Sequence, residues 1–118
     1  DSLSIAGLAK ATDRLKTRAL NGNLSIEDVQ DGTFTVNNTG ALGSVASQPL
    51  INYPQAAILT TEAIVERPVV VNNAIAIRSI MNVCLAFDHR IMDGLEASLF
   101  ARAVKVKLEG IGSTTSIY

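Results

Sequence analysis

Asp88-His89-Arg90-Ile91-Met92-Asp93-Gly94 is the seam of this sequence. Ahead of it, Ala74 to Phe87 is the longest apolar, β-type run, broken only by Arg78, Ser79 and Asn82. Beyond it a helical period takes over. Leu95, Leu99 and Ala103 form one row, Phe100, Val104 and Leu108 the adjacent row, and Gly110 stops the pattern. A strand that turns within seven residues into a helix identifies an α/β chain rather than an all-helical or all-strand one.

The seam also carries the chain's one histidine. Imidazole is the side chain whose unperturbed pKa of ~6.5 lets it take and return a proton near neutral pH. With a carboxylate four residues later and a glycine at the turn, His89 is a candidate general base. By residue type and spacing alone, though, a single histidine at such a turn is more often a surface or hydrogen-bonded structural residue. Asp93 has a structural role of its own. It precedes Gly94-Leu95-Glu96, so it reads as a helix N-cap with Glu96 as capping-box partner.

Working outward, residues 4 to 20 read as an amphipathic helix with Ile5, Leu8, Leu15 and Ala19 on one face. Ser4 or Ser2 caps it and Asn21-Gly22 ends it. Ser25-Ile26-Glu27-Asp28 opens a short helical turn, and Asp31-Gly32 leads into a strand over Thr33 to Asn37. Residues 39 to 54 are irregular, punctuated by Gly40, Gly43, Pro49 and Pro54. Ala56 to Glu66 reads as a buried strand, and Asn72-Asn73 after Val69 to Val71 is a two-residue hairpin turn. The tail from Ser113 to Tyr118 is short and polar. These elements predict a mixed sheet carrying helices on one face.

Composition narrows the function classes. One hundred and eighteen residues make one domain's worth at most. Charged residues are 18%, below the ~25% of an average domain, so the chain is expected to bury apolar surface against something else. A net charge of −1 carries no electrostatic footprint for nucleic acid or an acidic membrane. The single cysteine, Cys84, lies in the apolar run and reads as a buried small hydrophobe, which fits a reducing compartment. One Cys and one His form no metal-ligand cluster, so no metal is expected. No signal-peptide pattern is visible, and charges interrupt every apolar stretch short of the ~18 residues of a membrane span.

Three segments, in one order, carry a family resemblance. Asp88-His89-Arg90-x-x-Asp93-Gly94 resembles the D-H-R-x-x-D-G signature of the dihydrolipoamide acyltransferase components of 2-oxo acid dehydrogenase complexes. Gly32-Thr33-Phe34-Thr35-Val36-Asn37-Asn38-Thr39-Gly40 is similar to the family's G-T-F-T segment, and Ile51-Asn52-Tyr53-Pro54-Gln55-Ala56-Ala57-Ile58-Leu59 to its I-x-x-P-Q-A-A-I-L segment. The branched-chain type is the most similar. A complete catalytic domain of the family is longer, so the resemblance implies that residues 1–118 are its C-terminal portion. No lipoylation turn or Ala/Pro-rich linker is visible, and the lipoyl and partner-binding domains are expected to be absent.

The resemblance implies a two-layer α/β sandwich, mixed sheet with helices on one face, like that of chloramphenicol acetyltransferase. It implies transfer of an acyl group between dihydrolipoamide and coenzyme A. His89 would be the general base on the thiol, Asp93 a support of the turn, and Asn37 the oxyanion donor where family members often carry Ser or Thr. Hydroxyl and carboxamide can both donate, so the role survives the change. Coenzyme A would be a substrate, and the lipoyl group would be carried on a domain not present. The expected partners are further copies, in an oligomer built from trimers, with the decarboxylase and dihydrolipoamide dehydrogenase components held through the absent domains. No nucleic acid or membrane partner is expected. The expected place is the cytoplasm, or the mitochondrial matrix if the source is eukaryotic. Two alternatives stay open: a chloramphenicol-type acetyltransferase, whose signature has His-His where this chain has Asp88-His89, and a non-catalytic segment of a core scaffold.

Overall fold

A computed structural model of the chain describes residues 3–117. Helix α1 spans Ile5–Leu20, followed by strands β1 (Thr35–Asn38), β2 (Ala57–Thr61), β3 (Val65–Val71), β4 (Ala74–Ile80) and β5 (Val83–Phe87), and by helix α2 (Gly94–Glu109). The chain folds as two compact units. One joins the N-terminal stretch up to Gly32 with the C-terminal stretch from Val106, and the other is Thr33–Lys105.

In the first unit, the Ser4 hydroxyl accepts the Gly7 N–H at 3.2 Å and so caps α1. Ser2, the other capping candidate, and Tyr118 lie outside the described residues. Gly22, at φ +67°, takes the left-handed conformation that ends the helix. The turn Ile26–Asp28 closes with a capping box between Ser25 and Asp28, and Arg18 pairs with Asp28 at 2.7 Å. The Ser25 backbone amide, more than any other group, holds the Asp28 carboxyl below its ordinary pKa.

The second unit is built on a three-stranded mixed sheet in the order β1-β2-β5, parallel between β1 and β2 and antiparallel between β2 and β5. With a neighbour on each side, β2 is the core strand: Ala57, Ile58 and Leu59 are buried, as is Ala97 of α2. Phe100 of α2 meets Phe34, just before β1, with ring centroids 5.8 Å apart.

Strands β3 and β4 form a separate two-stranded sheet. Its turn is Asn72-Asn73, both at positive φ (49° and 62°), the backbone that a two-residue hairpin requires and asparagine tolerates. Two expected strands are each divided. Residues 56–66 split into β2 and β3 because Glu62 and Ala63 leave the ladder: Glu62 N–H bonds Asn82 O at 3.1 Å and Ala63 N–H bonds Ser44 O at 2.7 Å. Residues 74–87 split into β4 and β5 because the chain changes partner from β3 to β2 between Ile80 and Val83.

Candidate active site

Strand β5 delivers the chain into the 88–94 turn, and the turn's own acids hold it in shape. Asp88 N–H makes a last bond to Ala56 O at 2.8 Å. The Asp88 carboxylate then folds forward to accept Arg90 N–H at 2.9 Å and the Arg90 guanidinium at 2.9 Å (Nε) and 2.6 Å (Nη2). Those bonds from the Arg90 side chain and backbone, aided by its charge and opposed by desolvation, push the Asp88 carboxyl down to about 2. At the far end, Asp93 Oδ1 accepts the N–H groups of Leu95 (2.9 Å) and Glu96 (3.0 Å), and Glu96 Oε2 accepts Asp93 N–H at 3.2 Å. This is the capping box read from the sequence, and it fixes the first turn of α2.

His89 lies between these two anchored carboxylates. It is exposed, its ring centroid is 5.6 Å from that of Phe87, and among the described residues no hydrogen bond involves its imidazole. Both ring nitrogens are therefore open to an incoming group, on a turn whose backbone is fixed from either side. His89 and Asp93 thus share one loop.

Asn37 is placed elsewhere. It stands on β1 opposite Thr60 of β2, which in turn stands opposite Cys84 of β5, so the three side chains share one face of the sheet. Its Oδ1 accepts Asn38 N–H at 2.9 Å. A backbone donor there fixes the oxygen end of the carboxamide and leaves the Nδ2 protons for another acceptor. Beside it the Thr60 hydroxyl is fully buried and has no partner among the described residues. His89 follows β5 at the opposite end of the sheet, five residues beyond Cys84. At ~3.3 Å per residue and ~4.8 Å per strand, its backbone is roughly 19 Å from that of Asn37. Within one chain these two residues do not meet.

One cluster escaped the sequence reading. The Glu62 side chain is buried, and its carboxylate accepts the hydroxyls of Ser47 (2.5 Å) and Thr39 (2.9 Å). Hydrogen bonds from Ser47 above all, then from Ser44, Thr39 and Cys84, hold its pKa below the ordinary value against the desolvation that raises it. The available signal was a carboxylate inside a run otherwise read as buried strand. Cys84, expected as a buried small hydrophobe, is only half-buried.

A cavity of about 430 Å³ opens between the sheet and α2, walled by Phe34, Ala57, Leu85, Met92, Glu96 and Phe100 among others, and neither His89 nor Asn37 lines it. Among the described residues no group of three or more His, Cys, Asp or Glu is placed to hold a metal ion. None of their helices is long and apolar enough to cross a membrane.

A family model for the 2-oxoacid dehydrogenases acyltransferase catalytic domain matches residues 1–115. The lipoamide acyltransferase component of the branched-chain alpha-keto acid dehydrogenase complex of Bacillus subtilis is 51% identical over the whole chain, which spans 28% of that relative's length. The crystal structure of a probable dihydrolipoamide acetyltransferase from Listeria monocytogenes superposes with a TM-score of 0.96 at 50% identity, covering all of this chain and 51% of that one. The dihydrolipoamide acetyltransferase of Azotobacter vinelandii, in which the catalytic roles of a serine, a histidine and an asparagine have been investigated, superposes with a TM-score of 0.89 at 29% identity over 93% of this chain and 45% of that one.

Proposed function

The chain belongs to the family of 2-oxoacid dehydrogenase acyltransferase catalytic domains, and from that membership we propose that it forms the C-terminal part of a domain transferring acyl groups between dihydrolipoamide and coenzyme A. The observation that carries the proposal is the open imidazole of His89 on a turn braced by Asp88–Arg90 and Asp93–Glu96. A thiol of pKa near 8.5 is mostly protonated at neutral pH, so attack on a thioester needs a base at the sulfur. His89 takes that proton as the sulfur bonds to the carbonyl carbon. The tetrahedral oxyanion collapses, the carbon–sulfur bond of the departing thiol breaks, and the imidazolium returns the proton to it.

Asn37 Nδ2 is the proposed donor to the oxyanion, and its separation from His89 supports a site in which the two come from different copies of the chain. The Azotobacter residues support this assignment. The serine, histidine and asparagine are spaced there as Asn37, His89 and Asp93 are here, 52 and then four residues apart. On that spacing Asn37 is read at the position of the serine and Asp93 at that of the asparagine. In both cases a hydrogen-bonding group is kept. Asp93 acts by holding the turn.

The acyl group is read as a branched-chain one, after the Bacillus relative. The assembly is read as trimers in the core of a dehydrogenase complex. Coenzyme A and the lipoyl group are substrates, and the lipoyl group arrives on a separate domain. The decarboxylase and dihydrolipoamide dehydrogenase components dock outside this segment. Its proposed place is the cytoplasm, or the mitochondrial matrix in a eukaryote. The test is His89→Ala in the complete domain: kcat for acyl transfer falls 10²–10⁴-fold with melting temperature and oligomeric state unchanged. Near-normal turnover overturns the mechanism and favours a scaffold.

A further inference from the structure

We propose that Glu62 is a positioning residue for Asn37, its buried carboxylate pinning the segment from Thr39 to Ser47 so that the Asn37 carboxamide is presented in one direction. The inference rests on the reading of Asn37 as oxyanion donor and adds the group that holds it.

The segment begins one residue beyond β1 and runs across the end of β2. Two of its hydroxyls, at residues 39 and 47, converge on Glu62. A carboxylate only accepts hydrogen bonds, so it dictates the direction of every hydroxyl that meets it. The backbone follows. Thr39 N–H bonds Thr61 O at 3.1 Å, Ala63 N–H bonds Ser44 O at 2.7 Å, and Asn82 Nδ2 bonds Val45 O at 2.7 Å. Gly40 is pressed so closely on the peptide after Glu62 that a Cβ there would stand 2.4 Å from Glu62 O. From Gly40 the chain of bonds leads back to the site. Gly40 N–H donates to Asn38 Oδ1 at 3.0 Å, and Asn38 N–H donates to Asn37 Oδ1 at 2.9 Å. Each step fixes the next, and the last one decides where Nδ2 points.

No ion pair involves Glu62 among the described residues. A buried carboxylate without a cation costs stability that an apolar residue would spare, so its use here is in orientation rather than in strength.

A double-mutant cycle in the complete domain tests this. Glu62→Gln keeps the shape of the side chain but places donors where an acceptor was. It is expected to lower kcat on the order of 10- to 100-fold with KM for both thiols unchanged, because a misdirected donor weakens the transition state more than the ground state. In the Asn37→Ala background the same change is expected to alter kcat by less than twofold. A Glu62→Gln loss that persists in full in that background, or no loss in the parent, overturns the proposal. A neutral Asn37→Ala overturns the donor reading, and the proposal with it. If Glu62→Gln fails to assemble, Ser47→Ala removes a single bond to the carboxylate and is run through the same cycle, with the same criteria.

Discussion

Arg90 and Asp88 show how much of the seam is held by two side chains. Arg90 is almost entirely exposed, at 88%, yet it grips Asp88 with the Nε–Nη2 edge of its guanidinium. The Asp88 carboxyl, at about 2, lies below its ordinary 3.8. A carboxyl depressed in this way contributes stability that is fully present above the unfolded value and is lost as pH falls through the folded one, here between about 4 and 2. The side-chain carbon resonance of Asp88 is therefore expected to titrate near 2 in the parent and to move up toward 3.8 in Arg90→Ala. The stability difference between the two proteins should shrink as acid is added through that window. A carboxyl that titrates at its ordinary value in the parent refutes the pairing.

At the scale of the element, α2 begins where Asp93 caps it, and the same aspartate closes the His89 turn. Asparagine is about as good an N-cap as aspartate, whereas alanine loses ~1 kcal/mol of helix-end stability. Asp93→Asn is therefore expected to keep the melting temperature and most of the turnover. Asp93→Ala should lower both, the stability by roughly 0.5–2 kcal/mol in a urea titration. If Asp93→Asn abolishes turnover while the fold is intact, the carboxylate has a role in proton chemistry beyond the cap. The hairpin of β3 and β4 is set at the same scale, by Asn72 and Asn73 at positive φ.

Across the whole molecule, the sheet holds His89 and Asn37 at opposite ends, so a site that uses both requires two chains. Asn37→Ala and His89→Ala domains, each crippled alone, can be unfolded together in equal amounts and refolded. Each interface of a cyclic ring then draws its two chains independently, and about a quarter combine an intact Asn37 with an intact His89. Turnover is expected to recover to roughly a quarter of the parent's. No recovery from two crippled parents would place both residues in one subunit's site. Apolar side chains left open on the hairpin, Ile75 at 82% and Val70 at 74% exposure, agree with a chain whose composition called for more burial than it supplies itself.

The seam, the capping box at Asp93, the cap at Ser4 and the Asn72-Asn73 turn were all legible in the residues, because each is a local matter of period, side-chain reach and backbone preference within a few positions. The three quoted segments carried the family for the same reason. What the sequence did not contain was partner choice. The Asn72-Asn73 turn pairs the start of the run Ala74 to Phe87 with β3, but nothing in the run says that its second half leaves for β2, since both halves have the same strand-forming composition. The gathering of Thr39 and Ser47 on Glu62 joins residues up to 23 apart, and only the packed sheet brings them together. The distance between Asn37 and His89 was likewise decided by strand order and direction, because these set which ends of β1 and β5 lie together and a linear chain leaves both free.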